Sequence, residues 1–112
     1  MYVTITSLEL KGPLSFFKLA GMALTITKQM KASEGFVQFK KTGFWTSHYT
    51  MSLWKTEKDL KNFARSGAHL ESMKRYKEVA VEIKTLTLAA EKFPDWAIAK
   101  EMLLKNGKVI SA

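Results

Sequence analysis

Two histidines and a set of aromatic side chains are the residues of this chain that could do chemistry. The chain has no cysteine, which excludes a thiol nucleophile, a thiolate metal site and a disulfide framework. His69 stands in the segment NFARSGAHLESMKRY, among residues typical of packing. Imidazole titrates near neutral pH, so beside a cavity it can shuttle a proton or act as a base. No metal site is predicted.

His69 is predicted on the inward face of a helix. Met73 and Tyr76 follow it at spacings that place them within about 40° of it, whereas Glu71 and Lys74 point the opposite way. One interpretation makes His69 a candidate catalytic residue that borders a pocket and deprotonates a substrate or activates oxygen. The other makes it a core histidine bonded to a backbone carbonyl or to a strand hydroxyl such as that of Ser52.

A second group of candidates lies on the strand that ends before this helix. His48 shares its strand face with the hydroxyls of Thr50 and Ser52, and this row could line a pocket or simply fill a strand. The aromatic side chains could stack on a flat ligand or pack in a core or dimer contact. The candidate substrate-binding residues are His48, Trp45, Tyr49, Ser52, Trp54, Phe63, Met73 and Tyr76.

The elements that must position these residues follow from periodicity and from turn signals. The pattern predicts strands over Tyr2–Leu10, 36–41, 42–54 and Val81–Ala90, with the middle two joined around Thr42 and Gly43. Helices are predicted over 14–31, from Glu57 behind the capping pair Thr56 and Asp59 with a division at Gly67, and from Asp95 to about Gly107. This order is the α+β, ferredoxin-like split βαβ arrangement with an antiparallel sheet. One domain over 1–112 is expected.

The predicted third strand is apolar on both faces, which favours a dimer. Phe44 and Trp54 share one parity, whereas Tyr49, Met51 and Leu53 share the other. Since the helices of this arrangement are expected on one sheet face, a second copy is the simplest cover for the other face. The expected assembly is a symmetric homodimer.

Composition and charge restrict the remaining possibilities. With 112 residues, 46% hydrophobic and 25% charged, the chain has the composition of a packed protein. No segment approaches the roughly 18 apolar residues that span a bilayer, so a soluble, cytoplasmic protein is expected. A net charge of +8 could attract nucleic acid. However, the first strand, VTITSL, lacks the central aromatic residue that an RNA-recognition module uses for base stacking, so nucleic acid is an unlikely partner.

The run FWTSHYTMSLW followed by TEKDLKNFARSGAHLESM resembles the dimeric α+β barrel superfamily of antibiotic-biosynthesis-type monooxygenases. Within it, the group around spheroidene monooxygenase is the nearest, because its members similarly carry a Trp-Thr strand start, a Ser-x-Trp strand end and an SGAH-like turn. The resemblance implies a homodimer with a ligand cavity between sheet and helices. It also implies that the two sheets of the homodimer form an α+β barrel. Members of the superfamily oxygenate polycyclic or carotenoid substrates, degrade haem or have no known reaction.

The chain departs from the haem-degrading members of that superfamily at two positions. Their helical Trp corresponds to Phe63 and their haem-ligating His to Met73, so neither the indole N–H nor the imidazole ligand is retained. A monooxygenase-like protein with an apolar pocket for a small hydrophobic ligand, requiring no cofactor or a haem placed differently, is therefore the expected function. The alternatives are a non-catalytic ligand-binding protein on the same fold and a single-stranded RNA-binding module.

Overall fold

The computed structural model describes residues 1–110, excluding the side chain of Ala68, so the last two residues of the expected domain lie outside the described part. The strands are β1 (Tyr2–Leu10), β2 (Phe36–Phe44), β3 (Ser47–Trp54), β4 (Ala80–Ala89) and β5 (Lys108–Val109). The helices are α1 (Ser15–Ala32), α2 (Glu57–Ala64), α3 (Gly67–Arg75) and α4 (Trp96–Asn106), and one 3₁₀ turn covers Tyr76–Glu78. The strands form one antiparallel sheet in the order β2-β3-β1-β4-β5. The predicted α+β, ferredoxin-like class is confirmed.

Several local predictions are confirmed by the hydrogen bonds and backbone angles of the structure. The Thr56 hydroxyl accepts a hydrogen bond from the Asp59 backbone N–H at 3.1 Å, and α2 begins at the next residue, Glu57. Gly67 has a left-handed backbone (φ 57°) and divides α2 from α3. Asp95 is the N-cap residue of α4. Side-chain capping by Thr56 and the left-handed backbone of Gly67 therefore set the start of α2 and its division from α3, whereas Asp95 makes no side-chain cap hydrogen bond.

The turn between β2 and β3 lies three residues later than predicted. Phe44 pairs with Ser47, so the connection is Trp45–Thr46, and Gly43 continues the ladder opposite His48. A hydrogen bond to a residue outside the hairpin fixes the turn at Trp45–Thr46: the Leu10 backbone N–H donates to the Thr46 carbonyl at 2.8 Å. The predicted parity of Phe44 is consequently wrong: Phe44 lies on the face opposite Trp54.

On one face of the sheet, α1, α2 and α3 pack over two separate apolar clusters. The first cluster contains Met30, Trp54, Leu60 and Phe63. The second contains Tyr76, Val79, Ala80 and Ile83, with Leu8 and Met22 packed against them. The helix that carries His69 ends at Arg75, so Tyr76 belongs to the 3₁₀ turn and Ala80 already belongs to β4. We call this face the helix side.

The opposite face is covered by α4, contrary to the expectation that all helices lie on one side. Ala99 and Leu103 of α4 pack on Val3 and Ile5 of β1 and on Met51 and Leu53 of β3. Burial of each of these large side chains stabilises the fold by about 1.5–3 kcal/mol. The chain thus supplies its own cover for the middle of this face, and the sheet-face argument for a second copy fails there. We call this face the α4 side.

Among the described residues, none of the helices combines the length and the hydropathy that crossing a membrane would require.

Candidate functional site

A row of hydroxyl side chains crosses the middle of the sheet on the helix side. The pairing register places Thr6 of β1 between Thr50 of β3 and Thr85 of β4, and Thr4 beside Thr87. The two hydroxyls of Thr4 and Thr87 are hydrogen bonded at 3.0 Å. We call this set of five threonines the hydroxyl cleft. It lies between the two apolar clusters, since Trp54 follows it at one end and Leu8 and Ile83 at the other.

The helix layer does not seal the hydroxyl cleft. Thr4, Thr6, Thr50 and Thr85 are half-buried and Thr87 is exposed, although they sit on the central strands of the sheet. In α1, which packs on this face of the sheet, the Met22 side chain contacts the second cluster and the Ile26 side chain contacts the first. Ala23 lies between these two residues in α1 and has only a methyl side chain.

The cleft hydroxyls are available to a ligand. In the part of the chain that the structure describes, every fully buried side-chain nitrogen or oxygen has a hydrogen-bond partner. Thr6, Thr50 and Thr85 make no side-chain hydrogen bond to another described residue, so their hydroxyls meet solvent. A half-buried surface that combines methyl groups with solvent-facing hydroxyls suits a hydrophobic ligand bearing a few polar oxygens.

His69 lies beside the first cluster, in a fixed orientation. Its Nδ1 is 2.9 Å from the Ala64 carbonyl oxygen, which can only accept, so Nδ1 carries the proton of the neutral ring. Its backbone N–H donates to the Gln29 side-chain oxygen at 2.8 Å. Nε2 therefore carries the lone pair, and it has no partner among the described residues. The ring is half-buried, neither sealed in the core nor free on the surface.

The electrostatic surroundings keep His69 neutral. Burial lowers the pKa of His69 below its usual range of about 6.5, and the hydrogen bond to the Ala64 carbonyl opposes that shift in part. At neutral pH the imidazole is thus unprotonated, which is the form that a general base needs.

Four of the predicted site residues come together at this end of the cleft. The Phe63 ring is 5.0 Å from Trp54 on one side and 4.9 Å from the His69 ring on the other. The Trp54 indole N–H donates to the Ser52 hydroxyl at 3.0 Å, and Ser52 is the β3 neighbour of Thr4. The partner of the His69 ring is a backbone carbonyl, as the core interpretation allowed, and it is not Ser52.

The other predicted residues are dispersed. His48 stacks on Phe16 at 5.4 Å, and its Nε2–H donates to the Trp45 carbonyl at 3.0 Å. Tyr49 projects from the α4 side, where it packs against the core under α4. The Tyr76 hydroxyl donates to the Ile110 carbonyl at 3.2 Å in the second cluster. The remaining two predicted residues, Trp45 and Met73, make no described contact with His69; Trp45 is exposed and Met73 is half-buried.

Sequence reasoning missed the threonines of β1 and β4. The signal was present as strict alternation, because Thr4 and Thr6 stand in VTITSL and Thr85 and Thr87 stand in IKTLTL. Alternation places all four on one face of each strand. Only the register between β1 and β4 places the two pairs side by side.

The helix-side residues do not fit a haem. The Phe63 side chain, at 5% exposure, fills the space between Trp54 and His69. Nor do residues 1–110 hold a group of three or more His, Cys, Asp or Glu side chains that could bind a metal ion. The packing thus agrees with the presence of Phe63 and Met73 where haem-degrading members of the superfamily have Trp and His, and no chemical step is assigned to haem.

Comparisons with known proteins support the fold. A scan against protein-family models and a search of curated proteins give no match. Among solved structures, a proposed antibiotic biosynthesis monooxygenase from Nitrosomonas europaea superposes with a TM-score of 0.72 at 18% identity, over 82% of this chain and 100% of that one. Rv0793 from Mycobacterium tuberculosis gives 0.71 at 11% identity, over 85% and 100%.

A third structure is SnoaB from Streptomyces nogalater, which is described as a cofactor-independent oxygenase. It superposes with a TM-score of 0.67 at 10% identity, over 84% of this chain and 96% of that one. At these identities the similarity shows the fold alone, and fold does not imply function. The chain therefore has the fold of the antibiotic biosynthesis monooxygenases.

Proposed function

We propose that the chain is a monooxygenase-like protein that binds a hydrophobic, polycyclic substrate in the hydroxyl cleft. The observation that carries the proposal is the solvent-facing row of Thr6, Thr50 and Thr85 between two apolar clusters, with His69 beside one of them. Half-buried side chains packed against the two clusters, such as Ile26, Met22 and Leu8, hold the rings of the substrate, and the threonine hydroxyls bond to its oxygen atoms.

In the proposed reaction, His69 Nε2 removes a proton from a carbon or oxygen atom that adjacent rings acidify. The resulting electron-rich anion reacts with dioxygen. For a CH2 group between two aromatic rings, one oxygen atom ends in a carbonyl and the other in water: R2CH2 + O2 gives R2CO + H2O. The substrate supplies all four electrons, so this stoichiometry requires no added reductant.

Two observations support this proposal over the alternatives. SnoaB, with the same fold, is described as a cofactor-independent oxygenase. An RNA-binding module of this element order stacks bases on the sheet face away from its two helices, and α4 occupies that face here. Membership in the spheroidene monooxygenase group, which rests on the Trp-Thr strand start, the Ser-x-Trp strand end and the SGAH turn, stays a prediction. So do the cytoplasmic location and the single domain over 1–112.

The experiment is oxidation of anthrone under labelled dioxygen. We expect the wild-type protein to form anthraquinone faster than the protein-free control, with one labelled oxygen atom in the product. His69→Gln keeps polarity and size but removes titration near neutral pH, so the rate should fall about 100-fold with little change in melting temperature. Thr85→Val should raise KM, whereas Thr25→Val, on the exposed side of α1, should leave KM unchanged.

A non-catalytic ligand-binding protein would give a different pattern. Anthrone would bind and Thr85→Val would weaken that binding, but product would form no faster than without protein. If anthrone neither binds nor reacts, or if Thr85→Val and His69→Gln behave as the wild type does, the hydroxyl cleft is not the site.

A further inference from the structure

A second cavity lies on the α4 side of the sheet, away from the hydroxyl cleft. It has a volume of about 490 Å³ and is open to solvent between the β2–β3 hairpin and α4. We call it the hairpin cavity. Its walls include Thr42, Phe44, Trp45, Ser47, Tyr49 and Lys100. Three of these side chains are aromatic and one is cationic.

Two of the aromatic side chains are exposed to an unusual degree for their size. Phe44 is 85% exposed and Trp45 is 67% exposed, and they are consecutive residues at the end of the hairpin. Large apolar side chains grouped at one surface mark an interaction site more often than isolated ones do. The flat faces of such rings bind planar ligands by stacking.

The hairpin end is held rigidly despite its exposure. Trp45 adopts a left-handed backbone (φ 58°), which is unfavourable for an aromatic residue and persists only where the surroundings impose it. Its carbonyl accepts the hydrogen bond from the His48 ring. The Glu9 carboxylate accepts hydrogen bonds from the Thr46 and Ser47 hydroxyls, the latter at 2.6 Å. The exposed indole is thus presented by an ordered turn, which lowers the entropy cost of ligand binding.

Lys100 supplies the only charge among the cavity walls. Its ammonium group lies 4.7 Å from the centre of the Tyr49 ring and projects from α4. No carboxylate of residues 1–110 forms an ion pair with it. An anion that stacks on the aromatic residues would therefore find a cation at the opposite wall that is not engaged in an ion pair. The Glu9 carboxylate lies behind the Thr46 and Ser47 hydroxyls, so the acid binds with its carboxylate directed towards Lys100 and away from Glu9.

We infer that the hairpin cavity binds a planar aromatic carboxylate, with its ring against Trp45 and Phe44 and its carboxylate at Lys100. This site is independent of the proposed oxygenase reaction, because it lies on the other face of the sheet and shares no residue with the hydroxyl cleft. An aromatic acid bound there also lies beside the Thr42 hydroxyl of the hairpin.

The test uses 2-naphthoate and its neutral analogue 2-naphthalenemethanol as probes in titration calorimetry with the full chain. Trp45→Asn removes the indole but keeps a residue that tolerates the left-handed turn, so both probes should bind more weakly. Lys100→Met removes the charge but keeps a side chain of similar length. It should lower the affinity for naphthoate alone, by about fivefold, which is the contribution of a partly exposed ion pair. Lys92→Met, which makes the same charge change outside the cavity, should alter neither affinity.

Other outcomes would overturn the inference. Equal binding of naphthoate to wild type, Trp45→Asn and Lys100→Met would place the acid elsewhere, and no binding at millimolar naphthoate would exclude it. A second copy of the chain is the other possible occupant. If Trp45→Asn converts a dimer to a monomer in sedimentation while naphthoate fails to bind, the hairpin is an interface and not a ligand site. His69→Gln serves as the reference, because it should change oxidation without changing naphthoate affinity.

Discussion

At the scale of single residues, His69 is a group whose protonation couples to stability just below neutral pH, whereas the lowered pKa values of Glu9 and Glu78 act at more acidic pH. Its pKa is lowered in the folded chain, chiefly by burial, so between that lowered value and about 6.5 the unfolded chain binds more protons. Stability should therefore be constant above about pH 7.5 and should decrease as the pH falls through 6.5 towards the folded pKa. Below the folded pKa this contribution should change no further.

The variant His69→Gln tests that coupling. We expect the decrease in the free energy of unfolding between pH 7.5 and pH 5.5 to be smaller in the variant than in the wild type, because glutamine does not titrate. Urea denaturation at several pH values measures it, with His48→Gln as the matched control. A variant that loses as much stability as the wild type over this range would show that the His69 pKa is the same in both states.

The hydrogen bond between Trp54 and Ser52 is a second residue-scale test. Both side chains are buried, and the indole N–H donates to the serine hydroxyl. Ser52→Ala leaves this N–H without an acceptor, so we expect a loss of about 1–3 kcal/mol in the free energy of unfolding. Ser7→Ala, on half-exposed β1 surface, should cost much less in the same urea titration. Equal effects of the two changes would mean that solvent reaches the indole.

At the scale of elements, the junction between α2 and α3 positions the His69 ring. Gln29 of α1 holds this junction: its side chain donates to the Ser66 carbonyl at 2.7 Å and accepts from the His69 backbone at 2.8 Å. Gly67 has φ 57°, and a methyl group there would meet the Gln29 amide at 3.1–3.3 Å. Backbone conformation and packing thus both favour glycine at this position.

Replacing two glycines by alanine distinguishes the requirement for a left-handed backbone at Gly67 from the general difference in helix propensity between glycine and alanine. Gly67→Ala should destabilise the protein by about 1–2 kcal/mol, because the left-handed backbone is costly for alanine. Gly21→Ala, where nothing lies within 4 Å in the exposed middle of α1, should stabilise it by about 0.5–1 kcal/mol. Thermal unfolding of both variants measures the difference, and a Gly67→Ala protein as stable as the wild type would contradict the assigned role of the junction.

At the scale of the whole molecule, a homodimer stays a prediction, but its physical reason changes. The middle of the α4 side is already covered. Apart from the hairpin end, uncovered apolar surface lies on α1, where Phe17 is 73% and Leu24 is 70% exposed, two helical turns apart on one stripe. Such a stripe is typical of an interaction surface.

We therefore expect a dimer at micromolar concentration that buries more than about 1,200 Å² in total. Phe17→Ser combined with Leu24→Ser should shift the sedimenting species towards the monomer. Lys18→Ser combined with Thr25→Ser, at exposed positions of the same helix about 80–100° around its axis from Phe17, is the control and should leave the dimer intact. A monomeric wild-type chain would contradict the prediction, and a dimer that survives the first pair of changes would place its interface elsewhere.

Local chemistry in the sequence was enough to determine the class of the fold. Tyr2–Leu10, the Thr56 cap and the division at Gly67 depend on neighbours within a few residues, and all three occur as expected. The position of the β2–β3 turn depends instead on Leu10 and Glu9, more than thirty residues away. The residue types within the hairpin do not indicate these hydrogen bonds to distant residues, so the predicted turn at Thr42 and Gly43 was wrong.

By itself, the sequence determined the α+β element order, the inward position of His69 on its helix and the alternating threonines of β1. Only the tertiary structure decided which strands stand side by side, and hence that threonines from β1, β3 and β4 form one row. It also decided that α4 packs on the face away from α1, because Ala99 and Leu103 fit against Val3 and Met51. Both are contacts between residues far apart in the chain, whose register and packing no local pattern encodes.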